Sequence, residues 1–299
     1  MAESPLQFLD PRVVTRLANL ELRARLVVEG FITGMHRSPY HGFSVEFAEH
    51  RQYMPGDAIR FIDWKIYGRT DRHYIKQYEE ETNLRSTIIL DTSRSMGYVS
   101  GDGVTKIAYG ASLAAALAYL MIRQQDAVGL ACFDEELRSF LPPHTTRAYL
   151  RRLLVTLQHA APSGTTGAAR SLHQAADRMK RRGLVIVISD LLDDPAGVLG
   201  ALKHFRHKKN EVIVMHVLDP LERSFEFAGD AVFRDVETGE RITTLPWQIR
   251  TSYRRAMGEF LETYKRQCRE HAIDYVLLDT ATTFDVALTQ YLARRERLH

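Results

Sequence analysis

Asp91, Ser93 and Ser95 stand at even spacing directly behind the apolar run Ile88-Ile89-Leu90. A short aliphatic and β-branched run of this kind reads as a buried strand of a parallel sheet. In open α/β sheets, ligands bind beyond the carboxyl ends of such strands. The three side chains therefore fall on one loop at a place where ligands bind. One carboxylate with two neutral hydroxyls is an all-oxygen donor set, suited to a hard cation such as Mg²⁺ that keeps part of its water shell. Three oxygens do not fill an octahedron, so further donors must come from elsewhere in the chain, from water or from a partner. The competing reading is structural. Asp, Ser and Thr also bond free backbone N–H groups, and this motif alone is equally a helix cap and turn cluster.

The elements that would position this loop follow from hydrophobic periodicity. Pro11 to Glu29 reads as an amphipathic helix stopped by Gly30, with Arg12, Arg16, Arg23 and Arg25 on a solvated polar face. From His36 to Glu81 the chain is rich in aromatics, glycines and charges. Phe43 to Phe47 alternates like a strand, Met54 to Asp57 is a turn, and His73 to Tyr78 is a second extended run. Arg51, Asp57, Arg60, Asp63, Lys65 and Arg69 supply both signs there. Internal ion pairs are their plain explanation, and a phosphate or acidic-peptide site the sharper one.

Beyond the Asp91 loop, helices and strands alternate. Lys106 to Gln125 is an Ala- and Leu-rich helix, small and apolar enough to lie sandwiched against a sheet. Val128 to Phe133 is a strand closed by Asp134-Glu135-Glu136, and Arg147 to Leu157 a helix with Leu150, Leu153, Leu154 and Leu157 on one face. Ala161 to Gly167 is a loop opening the helix Ala168 to Arg181. Leu184 to Asp190 is the strongest strand signal, followed by a helix from Ala196 to Phe205 and a strand from Glu211 to Leu218. Phe225 to Thr244 reads as a hairpin, Trp247 to Arg269 as a long helix, Ile273 to Leu278 as the last strand and Phe284 to Arg295 as the closing helix. The alternation predicts an α/β fold, a doubly wound and mostly parallel sheet covered on both faces.

Three strand-to-helix loops then carry matching chemistry: Asp91-x-Ser93-x-Ser95, Gly164-Thr165-Thr166 and Ser189-Asp190. Loops of this kind share one edge of a doubly wound sheet, so their side chains can converge on one ion. In this order the motifs resemble the metal-ion-dependent adhesion site of von Willebrand factor A domains, over roughly Leu84 to the C-terminus. That resemblance implies Ser93, Ser95 and Thr165 (or Thr166) as direct ligands, with Asp91 and Asp190 holding the metal mostly through water. The metal would be Mg²⁺, with Mn²⁺ or Ca²⁺ as substitutes. It also implies an open coordination position for an Asp or Glu carboxylate of a partner protein. Neutral hydroxyls leave the ion's positive charge uncompensated, which favours that incoming carboxylate.

The preceding segment narrows the resemblance. Gly42 to Phe47, Arg51-Gln-Tyr-Met-Pro-Gly-Asp57, Arg60-Phe-Ile-Asp-Trp64 and Gly68-Arg-Thr, running into Glu79-Glu-Glu81, resemble a bacterial domain-of-unknown-function family, number fifty-eight. Its members usually accompany MoxR-type AAA+ ATPases. The resemblance implies a non-enzymatic, metal-dependent adaptor or co-chaperone beside such an ATPase, in protein maturation or metal insertion. The expected organisation is an N-terminal amphipathic helix (1–30), a small β-rich module (31–83) and a von Willebrand factor A-like domain (84–299) with a hairpin insertion at about 219–246.

Composition bounds the alternatives. A chain of 299 residues with 45% hydrophobic and 26% charged residues is an ordinary soluble globular protein, long enough for one large domain and an extra module. Its net charge of +3 is too small to imply nucleic acid or an anionic membrane. Two distant cysteines, Cys132 and Cys268, form no disulfide framework and fit a reducing cytoplasm. The longest apolar run, Leu113 to Ile122, is about half a membrane span. Met1 to Pro11 does not have the pattern of a signal peptide.

A Mg²⁺-dependent phosphatase using Asp91 as nucleophile is the enzymatic alternative. Phosphatases that this strand end resembles place a second Asp two residues on as proton donor, and Ser93 stands there instead. No Gly-x-Ser-x-Gly elbow and no phosphate-binding Gly-x-x-x-x-Gly-Lys-Ser/Thr loop occurs. Basic clusters at Arg178 to Arg182 and Lys203 to Lys209 fall at predicted helix C-termini, where cations meet the helix dipole, rather than along a nucleic-acid groove. The twelve histidines show no zinc spacing.

Overall fold

The computed structural model describes residues 10–36, 50–52, 67–68, 71, 74–76, 84–165, 167–227, 231–234 and 241–297. The chain divides into two compact units, one made of residues 1–34 and 84–299 and the other of residues 35–83.

The N-terminal segment is two helices rather than one. α1 (Pro11–Val14) is capped by Asp10, and α2 (Leu20–His36) starts at Asn19, whose side chain accepts from the Glu21 and Leu22 amides. Gly30 does not stop α2. The residues around it, Val27, Val28 and Phe31, are buried, and that packing outweighs the roughly 1 kcal/mol propensity penalty of a helical glycine. The arginines serve locally. Arg23 donates to the Thr15 and Leu17 carbonyls between the helices, and Arg25 pairs with Glu29.

In the second unit, β1 (His50–Gln52) pairs antiparallel with β2 (Tyr74–Lys76), setting Arg51 opposite Ile75. The expected strand at Phe43–Phe47, the turn at Met54–Asp57, most of the mixed-charge cluster and nearly all of the motifs between Gly42 and Glu81 lie outside the described residues.

The main sheet contains β3 (Arg85–Asp91), β4 (Ala127–Phe133), β5 (Leu137–His144), β6 (Leu184–Ser189), β7 (Glu211–Leu218) and β10 (Asp274–Asp279), in the order β10-β7-β6-β3-β4-β5. All neighbours run parallel except β5, which is antiparallel to β4. β5 is the strand the sequence conceals. It lies at the edge, it is only partly buried, and Pro142-Pro143 interrupts the propensity signal. β3, β4, β6 and β7 are buried along almost their whole lengths, as strands covered on both faces must be. This is the doubly wound, mostly parallel α/β fold that the alternation predicts.

On one face lies α3 (Lys106–Arg123), in contact with β3, β4, β6 and β7. It approaches closely at Gly110, where a Cβ would sit 3.0 Å from Leu90 and 3.3 Å from Ile188. α4 (Arg147–Gln158) packs on α3 through Leu150, Leu153, Leu154 and Leu157, the face that the sequence predicts to be apolar. The opposite face is covered by α5 (Ala168–Arg178), α6 (Pro195–His207) and α8 (Pro246–Glu270), which share one core with Val185, Val187, Val212 and Val214. Between β7 and α8 stand a single-turn helix, α7 (Pro220–Ser224), and the antiparallel hairpin β8 (Ala231–Arg234) and β9 (Arg241–Thr244), with Phe233 opposite Ile242. α9 (Phe284–Arg297) closes the chain and stacks Phe284 on Tyr109 of α3 at 4.9 Å.

Strand order fixes where a site should lie. From β3 the chain moves to β4 and β5 on one side. From β6 it moves to β7 and β10 on the other. The carboxyl ends of β3 and β6 therefore flank the topological switch point, the crevice in which doubly wound folds bind ligands.

Candidate functional site

Asp91 ends β3 inside that crevice and is fully buried. Its Oδ1 accepts the Ser93 amide at 2.8 Å, and its Oδ2 accepts the Ser189 hydroxyl from the end of β6 at 2.6 Å. The chain then turns into a short 3₁₀ helix, Arg94–Gly97, seated by buried Met96. Ser93 occupies the cap position of that helix, but its hydroxyl makes no capping bond. It lies 3.0 Å from the Ser95 hydroxyl instead, and both serines are buried. The capping explanation thus holds for the Asp91 carboxylate, which closes the turn, and fails for the Ser93 hydroxyl.

Asp190 follows β6 and is also fully buried. Its Oδ2 accepts Lys106 Nζ at 2.8 Å, and the same ammonium donates to Glu222 Oε1 at 2.6 Å. Lys106 is the first residue of α3 after the cap Thr105, the helix end where a cation is disfavoured by the dipole. Two carboxylates offset that placement. Burial alone would lower the Lys106 pKa, but the charges of Asp190 and Glu222 prevail and hold it above its ordinary value. Glu222 belongs to α7, where it completes a capping box with Asp219. Asp219 in turn accepts the Ser100 amide at 2.9 Å from the loop beyond the 3₁₀ turn.

Burial pushes Asp91 up to about 7, with the Asp190 charge adding to it against the hydrogen bonds from Ser189 and Ser93. Behind the site His216 of β7 stands across from Ser189 in register, and its Nδ1 is 2.7 Å from the Tyr275 hydroxyl. Burial pushes this histidine down to about 4, which keeps it neutral.

The third loop is tied to the first. The Ser163 amide donates to the Thr92 carbonyl at 2.9 Å, and Thr92 bonds the Phe133 carbonyl at the end of β4. Gly164 has φ +66°, and a Cβ there would meet the Asp134 carboxylate at 3.0 Å. Asp134 is held by Arg138, by the Ser163 hydroxyl and by the Glu136 amide. Thr165 is exposed, and its hydroxyl donates to Glu135 Oε2 at 2.8 Å. Thr166 lies outside the described residues.

The fold therefore brings Asp91, Ser93, Ser95 and Asp190 into one crevice and places Thr165 on the adjoining loop, facing Glu135. Sequence reasoning missed Lys106 and Glu222, and it named Ser189 only as part of a motif. The one available signal was Lys106 itself, a cation at the first position of an otherwise apolar helix. Among the described residues no group of three or more His, Cys, Asp or Glu side chains is placed to hold a metal, so cation binding here would depend on the serine hydroxyls. Among those residues, too, no helix is long and apolar enough to cross a membrane.

Comparison with known proteins adds a family. The uncharacterized protein Rv1480 of Mycobacterium tuberculosis is 26% identical over 293 residues, covering 96% of this chain and 91% of that protein. Among solved structures, the conserved hypothetical protein BatB from Bacteroides thetaiotaomicron aligns with a TM-score of 0.47 at 18% identity, over 72% of this chain and 99% of its own. An aerotolerance-related membrane protein from Bacteroides fragilis aligns with a TM-score of 0.48 at 19% identity, over 71% of this chain and 99% of its own. A family profile described as "Protein of unknown function DUF58" matches residues 49–262, and the chain belongs to that family.

Proposed function

We propose that this protein is a non-enzymatic, divalent-cation-dependent protein-binding module. In this reading Ser93 and Ser95 hold Mg²⁺ directly, Asp91 and Asp190 hold it through water, and a carboxylate from a partner completes the shell. The observation that carries the proposal is the convergence of Asp91, Ser93, Ser95 and Asp190 at the switch point, with the Ser93 and Ser95 hydroxyls 3.0 Å apart and that of Ser93 making no capping bond. The charge balance fits a cation as well. The Lys106 ammonium bonds Asp190 and Glu222, and Asp91 stands close enough to Asp190 to feel its charge. An all-oxygen set of serine hydroxyls and carboxylates suits Mg²⁺ rather than zinc or copper. Thr165 joins the set if its hydroxyl exchanges Glu135 for the cation. When bound, the cation would supply a positive charge for the partner's carboxylate, while the protein's own residues orient it.

Use of Asp91 as a nucleophile is disfavoured, because both of its oxygens already accept hydrogen bonds inside a closed turn. A MoxR-type AAA+ ATPase is the proposed partner, on the resemblance of the segment before the sheet. The test is binding of that ATPase from the same genome to this protein in Mg²⁺ and in EDTA, with wild type and Ser93→Ala/Ser95→Ala. Binding that needs Mg²⁺ and is lost in the variant supports the proposal. Equal binding in EDTA overturns it.

A further inference from the structure

The two basic clusters of the sequence are used differently in the fold. In the later one the cations are engaged. Lys208 bonds Asp177 at 3.0 Å, Arg206 pairs with Glu211, and Lys203 donates to Gln267. In the earlier one α5 ends at Arg178, so Lys180 and Arg181 lie beyond the last turn, where the helix dipole no longer accounts for them. Arg178, Lys180 and Arg181 are exposed and make no ion pair among the described residues.

These three residues and Arg85 line a cavity of about 540 Å³. Phe140, Pro142, Pro143 and Met179 line it as well, and no carboxylate borders it among the described residues. The cavity lies at the start of β3 and the end of β5, the edge of the sheet away from Asp91. Its cationic loop is anchored. A Cβ on Gly183 would fall 2.2 Å from the Arg85 carbonyl oxygen, so only glycine lets the loop lie on β3. The Gly183 amide is held by Asn210 at 3.0 Å, and its carbonyl accepts the Glu211 amide. Arg85 reaches across toward the Pro143 carbonyl at 3.5 Å.

The volume falls in the range of small-molecule sites, and guanidinium groups together with Phe140 and Met179 suit a ligand that carries both an anionic and an apolar part. Arginine forks match phosphate oxygens two at a time. An extended acidic peptide is disfavoured, because Pro142-Pro143 on the edge strand lacks the N–H groups that strand addition uses. We propose that this cavity binds a nucleoside polyphosphate, with its phosphates on Arg85, Arg178 and Arg181 and its base against Phe140 and Met179. The site is independent of the cation site.

Calorimetric titration of the full chain with ADP, adenosine and inorganic pyrophosphate tests it, in EDTA so that no cation contributes. ADP should bind, more weakly as salt rises, and at least tenfold more tightly than either fragment. Arg178→Ala/Arg181→Ala should weaken ADP at least tenfold while unfolding at the wild-type temperature, since both side chains are exposed. Three results would each overturn the proposal: no ADP binding at millimolar concentration, equal binding by the variant, or pyrophosphate binding as tightly as ADP. Arginine-dependent binding of a polyglutamate peptide without ADP binding would overturn it in favour of an acidic-peptide groove.

Discussion

Replacing Lys106 with Met should be among the most damaging single changes available to this fold. The ammonium is wholly buried and bonded at 2.8 Å to an Asp190 side chain that is itself fully buried, and at 2.6 Å to a Glu222 side chain only 16% exposed. Methionine keeps most of the volume and removes the charge, so two carboxylates face each other in a desolvated space with Asp91 nearby. Breaking a buried pair by deleting one partner costs about 3–5 kcal/mol. A chain with a total stability of roughly 5–15 kcal/mol would lose a large share of it. Urea denaturation followed by far-UV circular dichroism reads the change as a shift in midpoint at constant slope. The triple variant Lys106→Met/Asp190→Asn/Glu222→Gln should recover most of the loss, because it removes the stranded charges together. A Lys106→Met protein within about 1 kcal/mol of wild type would refute the reasoning. So would a triple variant no more stable than the single one.

Other expectations follow from the same geometry. In EDTA, Asp91 has a folded-state pKa raised from 3.8 to about 7, so its contribution is fully present below about pH 4 and is lost as pH rises through 7. Stability should therefore fall as pH rises from about 4 to 7, and Asp91→Asn should flatten that slope in chemical denaturation across pH 4 to 8. An unchanged slope in the variant would remove Asp91 as its source. Gly183→Ala should destabilise the sheet by about 1–3 kcal/mol, since its Cβ would fall 2.2 Å from the Arg85 carbonyl and force β3 and the 179–183 loop apart. A thermal midpoint equal to wild type would show that the loop yields freely.

The fold was legible because its central strands are nearly pure aliphatic runs, each closed by a polar residue, and its helices carry strong periodicity. What escaped were elements whose sequence signal is local or conflicting. β5 holds two prolines and pairs at an edge. The break between α1 and α2 rests on an Asn19 cap, and Gly30 reads as a stop only until the burial of its neighbours is known. The site divides in the same way. Asp91, Ser93, Ser95 and Asp190 follow from strand ends and even spacing, because the fold alone brings those ends together. Lys106 and Glu222 meet across more than a hundred residues of chain, and nothing periodic links them. The orientation of Thr165 toward Glu135 is a matter of side-chain rotation within a loop, which no spacing rule encodes.

The most direct test of the central claim is thermal unfolding of wild type and Ser93→Ala/Ser95→Ala, each in EDTA and in millimolar Mg²⁺ or Mn²⁺. A ligand that binds only the folded state at a hundredfold excess over its dissociation constant adds about 2.7 kcal/mol. The account predicts a clear upward shift of the wild-type midpoint with the cation and none in the variant, with both proteins folded in EDTA. A shift of equal size in the variant, or no shift in wild type, would contradict it.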